Sequence, residues 1–319
     1  MRTLLRNLGL GRILYRIYHV PAGILRDSVK AGGPLQARRT ARGRAEMEAA
    51  ARDLAPPVVP AGAIPIAVHL LTGRRFWFQS AFCLHTLSTC AGRPVHPVIY
   101  DDGSLSPEDA GCLARLFPAA RAVPISESES KLDRFLPRDR FPALRDWWGR
   151  NPNIRKLVDP HIGSRGWKLV IDSDLLFFRE PAFLAGWCDS PRAPLHAVDV
   201  QSSYGYPRRL LEELAGSPVA DLVNSGLCGL DSGALDWERI ELWCRALIER
   251  GGRSYYLEQA LVAMLLAGRA CSVAPAADYV TLPRPPEALE CRAVMHHYVD
   301  DSKRWYFQHN WRRVARKPE

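Results

Sequence analysis

The sequence predicts an α/β protein: a mixed, mostly parallel sheet flanked by helices, preceded by a basic helical extension. Three observations predict it. From Ile64 onward, short apolar runs alternate with helical patterns, the rhythm of a parallel sheet covered on both faces. Pro56, Pro57 and Pro60 separate that body from a helical start. The stretch Trp167 to Phe178 is apolar enough for a central strand, yet carries Asp172 and Asp174 in its middle.

In chain order, residues 1–20 read as an amphipathic helix. Arg2, Arg6, Arg12 and Arg16 gather on one side, with Leu and Tyr over the rest. Such a helix suits either an anionic membrane surface or packing on the body with its arginines in water. Gly32-Gly33-Pro34 breaks that pattern, and Arg42 to Leu54 reads as a second helix. The run starting at Ile64 is a buried strand ended by Thr72-Gly73, and Phe76 to Thr89 is a helix. Val95 to Tyr100 is a second strand, ending in the turn Asp101-Asp102-Gly103-Ser104. Ser106 caps a helix to Phe117, with Glu108 and Asp109 in its first turn. The acidic run Ser126 to Ser130 reads as a solvated loop.

The 319 residues are 47% hydrophobic and 24% charged, an ordinary globular composition, long enough to bury a core without disulfides. The net charge of +9 is uneven: +7 over residues 1–60, −3 over 61–302 and +5 over 303–319. A slightly acidic body argues against a nucleic-acid binder, so no nucleic-acid partner is expected. Of eight cysteines, none forms a C-x-x-C pair, and Cys83, Cys112, Cys228 and Cys244 lie among apolar residues as buried thiols do. The start lacks a secretory h-region, and no apolar run approaches the ~20 residues of a membrane span. The expectation is a cytoplasmic protein, with peripheral attachment to an anionic membrane surface through residues 1–30 as the further possibility.

Chemistry concentrates at Asp172-Ser173-Asp174. Two carboxylates between apolar flanks repel one another and are poorly solvated unless a cation lies between them. Oxygen ligands favour Mn²⁺ or Mg²⁺, with open positions left for phosphate oxygens.

An apolar strand ending in Asp172-Ser173-Asp174 resembles the D-x-D motif of glycosyltransferases with the GT-A fold, and three later segments extend the likeness. Asn224-Ser225-Gly226 resembles their N-S-G segment near the sugar. Glu258-Gln259 resembles the acidic-Gln pair facing the donor sugar. The run from His297 to Trp305 is similar to the H-F-x-G-x-x-K-P-W segment of glycosyltransferase family 8, related to glycogenin. His297, Lys303 and Trp305 are in register, Asp300 stands where that family has Gly, and Arg304 where it has Pro.

The resemblance implies a GT-A domain over 61–319 after a basic extension over 1–60. Within it, 61–190 would be a nucleotide-binding half, 191–290 an acceptor half, and 291–319 a metal and phosphate segment. It implies a metal-dependent transfer of a sugar from a nucleotide-diphosphate sugar, a UDP-sugar first, to a carbohydrate or lipid-linked hydroxyl acceptor. Asp172, Asp174 and His297 would hold the metal, with His296 as the alternative imidazole. Lys303 and Trp305 would meet the donor, Lys303 at the diphosphate. Leu71, Thr72, Gly73 and Asp101 or Asp102 would line the nucleotide; Arg155 or Lys156, with Ser173, Asn224, Ser225 and Gly226, would reach sugar and phosphate. Gln259 would lie by the anomeric carbon in a retaining reaction, and Glu258 or Asp199 would be the base of an inverting one. Trp147-Trp148 and Tyr204 with Tyr206 are candidate acceptor platforms or buried aromatics. Two other readings are a metal-dependent nucleotidyl- or phosphotransferase, for which Thr72-Gly73-Arg74-Arg75 is a poor phosphate loop, and an inactive GT-A-like protein binding at a membrane surface.

Overall fold

The computed structural model describes residues 32–315; the expected helix over 1–20 and the membrane contact through 1–30 lie outside them. The first helix, α1 (Pro34–Asp53), starts earlier than expected, because Pro34 takes the first helical position, where its missing N–H costs nothing. The body then runs β1 (Ile66–Thr72), α2 (Trp77–Ala91), β2 (Val95–Asp101), α3 (Pro107–Leu116) and β3 (Arg121–Val123). It continues with α4 (Ile125–Phe135), α5 (Pro142–Arg150), α6 (Ile154–Val158), β4 (Trp167–Ile171) and β5 (Leu175–Phe177). After α7 (Ala182–Asp189) come β6 (Leu195–Val198), α8 (Arg208–Ala215), β7 (Val223–Asp231), α9 (Trp237–Gly251) and α10 (Leu257–Leu266). The last part holds β8 (Ser272–Val273), β9 (Tyr279–Thr281), α11 (Pro285–Glu290) and β10 (Met295–His297). A helical segment follows, whose middle, Tyr306–Asn310, is a π turn.

The local signals explain most boundaries. Ser106 Oγ accepts from the Asp109 N–H at 3.1 Å and caps α3. Gly92, in the left-handed region, closes α2 by donating its N–H to Ser88 and Thr89 carbonyls. The run Ser126 to Ser130 is not a loop: it lies in α4, where Lys131 pairs with Glu127 one turn back at 3.1 Å and Leu132 is buried. Serines and glutamates masked the helical spacing of Ile125, Leu132 and Phe135.

The main sheet has the order β3-β2-β1-β4-β7-β6-β8. β4 and β6 each run antiparallel to β7, and the other pairs are parallel. A second sheet, β5-β10-β9, sits beside it. Leu175 to Phe177 is fully buried, as a central strand would be, but it belongs to this small sheet. The chain leaves the main sheet at Ser173. The Asp-x-Asp turn is therefore the junction between the two sheets.

One apolar cluster joins α1, α2, the parallel strands and the C-terminal segment; a second joins α4–α6 to α8–α10. The clusters interleave along the chain rather than dividing near residue 190. Met47, Ala51 and Leu54, at the end of α1, lie in the first cluster. Arg52 bonds Glu108 and Asp109, and Arg115 donates to the Arg52 and Leu54 carbonyls. So α1 packs against the body. It approaches the π turn so closely that a Cβ at Gly43 would lie 2.1 Å from the Phe307 carbonyl oxygen. Gly43→Ala is expected to force the two helices apart and destabilise the fold by about 1–3 kcal/mol, the usual cost of overpacking against backbone. Urea unfolding read by far-ultraviolet circular dichroism checks this.

Candidate metal and donor site

Asp172 follows the last residue of β4, and its N–H donates to the Gly226 carbonyl at 2.8 Å on β7. Asp174 precedes β5, and its carbonyl accepts from Tyr298 N–H at 2.9 Å. His297 ends β10, opposite Leu175. Two sheets thus deliver three side chains to one point, and Asp172, Asp174 and His297 each offer a ligand atom within 4.8 Å of the others.

Each carboxylate is held from two sides. Asp172 accepts from Lys156 Nζ at 2.8 Å through Oδ1 and faces His297 Nε2 at 3.6 Å through Oδ2. Asp174 faces His297 Nε2 at 3.3 Å through Oδ1 and Lys303 Nζ at 3.2 Å through Oδ2. The electrostatics follow. Burial would raise the Asp174 pKa, but His297 and Lys303 outweigh it and hold the carboxyl well below its usual range. Burial would lower those of His297 and Lys156; the neighbouring carboxylates outweigh it and raise both. Glu258 is pushed up, first by burial, against the charge of Lys156. It lies behind the site, accepting from Ser225 Oγ at 2.8 Å with Lys156 Nζ 3.7 Å away.

The His297 ring is 3% exposed, and neither ring nitrogen has a hydrogen-bond partner among the described residues. A buried imidazole without partners, facing two carboxylates, fits a divalent cation: one nitrogen and carboxylate oxygens suit Mn²⁺ or Mg²⁺. His296 does not compete for that role. Its Nε2 meets Glu287 at 2.8 Å and its Nδ1 meets Tyr298 Oη at 2.9 Å. Gly226 makes room for the His297 ring: a Cβ there would lie 2.3 Å from His297 Cε1.

Beside this point, Asp199 Oδ2 accepts from Asn224 Nδ2 at 3.2 Å and Gln259 Nε2 at 2.9 Å. Gln259 also donates to the Val223 carbonyl at 3.0 Å, and Asn224 Oδ1 accepts the Gly226 N–H at 2.9 Å. Asn224, Ser225, Gln259 and Glu258 are thus gathered, with Asp199 more open to solvent than Glu258. At the carboxyl ends of β1 and β2, Asp102 N–H donates to the Thr72 carbonyl, and a Cβ at Gly73 would collide with the Asp102 carboxylate. Leu71, Thr72, Gly73 and Asp102 share one strand end there. Asp101 is spent on the turn, its Oδ1 accepting from Gly103, Ser104 and Leu105 N–H. Arg155 is turned away from the carboxylate pair: it bonds Asp159 and the Asp101 carbonyl and lies over the Trp148 ring. Of the two basic neighbours it is Lys156 that reaches Asp172. Ser173 lies between the two aspartates, and Trp305 stands half-buried on the turn after Lys303.

Some expected residues fall elsewhere. Tyr204 and Tyr206 are buried, their hydroxyls donating to the Ala220 and Gly252 carbonyls, and Trp147 is in the second core cluster. None is a stacking platform, because each ring is consumed by packing. The exposed aromatics at this end are Tyr255 and Tyr256, an edge-to-face pair one turn before Gln259. Their place beside the Glu258-Gln259 segment is the signal that would have found them. Asp300, where the family-8 pattern has Gly, adopts φ +45°. The glycine conformation is retained, and Asp is among the few residues that tolerate it.

No family model matches the sequence, and no curated protein matches it. Solved structures do. Mouse xyloside xylosyltransferase 1, in its apo form, is 13% identical with a TM-score of 0.50, covering 73% of this chain and 97% of that one. The galactosyltransferase LgtC, in complex with donor and acceptor sugar analogues, is 11% identical with a TM-score of 0.50, covering 78% and 95%. An active-site mutant of LgtC gives 0.52 at the same identity. The likeness is one of fold, and that fold is the GT-A fold of glycosyltransferases.

Because metal binding requires a neutral imidazole, the raised pKa of His297 sets a proton competition that begins above the ordinary value of 6.5. For a Mn²⁺ ion held by these three groups, lowering the pH from about 7.5 to about 5.5 is expected to weaken binding by roughly tenfold or more. Titration of free Mn²⁺ by electron paramagnetic resonance at each pH measures it; pH-independent binding would remove His297 from the ligand set.

Proposed function

We propose that the protein is a metal-dependent glycosyltransferase that moves a sugar from a nucleotide-diphosphate sugar, a UDP-sugar first, to a carbohydrate or lipid-linked hydroxyl. One observation carries this reading: Asp172, Asp174 and a buried His297 without hydrogen-bond partners among the described residues converge where the two sheets of a GT-A fold meet. Asp172, Asp174 and His297 would hold a divalent ion, Mn²⁺ or Mg²⁺. When bound, the ion supplies Lewis-acid stabilisation of charge on a departing diphosphate.

The chain's own residues supply the rest. Lys303, 39% exposed, is free enough to leave Asp174 for a diphosphate oxygen as a point charge. Lys156 is a positioning residue: its ion pair fixes the Asp172 carboxylate and screens it from Glu258. The Leu71–Gly73 strand end and Asp102 offer backbone and carboxylate groups for a nucleoside. Asn224 and Gln259, aligned on Asp199, would face the sugar. Glu258 is buried under Lys156 and Ser225, so Asp199, more open to solvent, is the better-placed carboxylate for a base. A retaining reaction is the form the family-8 resemblance implies, with Gln259 nearest the anomeric carbon. Tyr255 and Tyr256 would present aromatic faces to the acceptor.

A panel of nucleotide sugars with Mn²⁺, read by released nucleoside diphosphate, tests the reading. Asp174→Ala is expected to lower turnover roughly 100-fold or more, since Lewis-acid stabilisation is worth several kcal/mol and about 1.4 kcal/mol is tenfold. Absence of both turnover and donor binding across the panel would overturn it. Proton NMR of the first product decides stereochemistry, and an inverted anomer would move the base role to Asp199. Tyr255→Ala with Tyr256→Ala is expected to raise the acceptor KM severalfold while donor hydrolysis without acceptor stays unchanged.

A further inference from the structure

The two basic parts of the sequence meet in the fold, away from the carboxylates. Between α1 and the C-terminal segment lies an open pocket of about 560 Å³, with Arg39, Arg42, Arg304, Arg312, Trp305 and His309 in its wall. The carboxylate in that wall, Glu46, is already taken by Arg42 at 2.7 Å and by Arg312. Four guanidinium groups therefore face one acid among the described residues. Arg39 has no ion pair among the described residues, and the buried Nε of Arg304 has no hydrogen-bond partner among them. The Arg304 guanidinium lies over the Trp305 ring, 4.7 Å from its centroid. Like charges gathered this way repel unless an anion joins them. The positive field reaches His309, whose pKa is lowered by burial and by Arg312 and Arg313.

The pocket is also built rather than incidental. The π turn Tyr306–Asn310 brings Gln308 and His309 onto its wall, and such turns recur at functional sites. Gln308 Nε2 donates to Thr40 Oγ1 at 2.8 Å, tying the two walls together. Gly43, without a side chain, lets the two walls approach, since a Cβ there would meet the Phe307 carbonyl. Lys303 is not among the lining residues; it points to Asp174, while Arg304 and Trp305 line the pocket.

We propose that this pocket binds a phosphate group, separately from the metal and donor site: guanidinium groups on two walls take the phosphate oxygens, and the Trp305 ring packs against whatever the phosphate carries. Forked guanidinium donors match phosphate geometry better than any other side chain. The same chemistry serves a soluble phosphate ester and a phospholipid headgroup.

The test uses the full chain in EDTA, so that no metal assists anions at Asp172 and Asp174. Inorganic pyrophosphate is titrated by calorimetry, and sedimentation is measured with vesicles of phosphatidylglycerol and phosphatidylcholine against phosphatidylcholine alone. At least one probe is expected to bind, less tightly as salt rises. Arg39→Gln with Arg304→Gln should weaken that binding about tenfold or more, as loss of charged hydrogen bonds does. Arg250→Gln, outside both this pocket and the donor site, should leave it unchanged, and Arg39→Lys with Arg304→Lys should keep most of it. If the double glutamine variant fails to fold, Arg39→Gln alone, on an exposed turn of α1, should still weaken binding severalfold. Loss of pyrophosphate binding assigns a soluble ester; loss of vesicle binding alone assigns a headgroup. No binding of either probe, or binding that the arginine variants leave unchanged, overturns the proposal.

Discussion

Two half-buried carboxylates, separated by the single residue Ser173, set the constraint on which the rest of the structure depends. Negative groups within 4.8 Å repel by roughly 3–4 kcal/mol at an effective dielectric of about 20. The fold answers with cations on each flank and an imidazole between. Lys156 comes from α6, Lys303 from the C-terminal segment and His297 from the small sheet. Their distance in sequence shows that the site is a property of the whole fold rather than of the Asp-x-Asp turn. The half of each carboxylate not held by lysine faces His297, which is the geometry a shared cation requires.

The same constraint explains the backbone around the site. The two sheets do not share a strand; they share the turn that carries the aspartates. Asp172 is fixed by Gly226 on one sheet and Asp174 by Tyr298 on the other. Gly226 must lack a side chain because His297 occupies that space. The N-S-G segment thus divides its work among its residues. Asn224 aligns Asp199, Ser225 satisfies Glu258, and Gly226 admits the His297 ring.

Much of this was legible in the sequence. Alternating strands and helices, the capped helix after Ser106 and the acidic strand end are local signals, and each stands where its chemistry requires. The convergence of His297 with Asp172 and Asp174 came through a spacing resemblance, not from residue types. What was not legible depended on tertiary contacts. Nothing in the sequence says that His296 is already paired on both nitrogens while His297 is not, or that Tyr204 and Tyr206 turn inward while Tyr255 and Tyr256 turn outward. Nor could it divide Arg155 from Lys156, neighbours that point to different partners. Ser126 to Ser130 misled because a polar face conceals helical spacing.

The uneven charge acquires a structural meaning through the C-terminal segment. This segment must dock correctly for Lys303 to reach Asp174, and its docking partner is α1. Gly43 meets the Phe307 carbonyl at close range, Tyr306 stacks on Tyr298 with centroids 4.8 Å apart, and Asn310 donates to the Tyr298 hydroxyl at 2.7 Å. Tyr298 in turn follows His297 and bonds the Asp174 backbone. A continuous set of contacts therefore runs from the basic first helix to the carboxylate pair. Arginines on α1 and on the C-terminal segment are brought face to face by the packing that also brings Lys303 to Asp174. Their mutual repulsion opposes that packing, so an anion bound between them would stabilise the same docking.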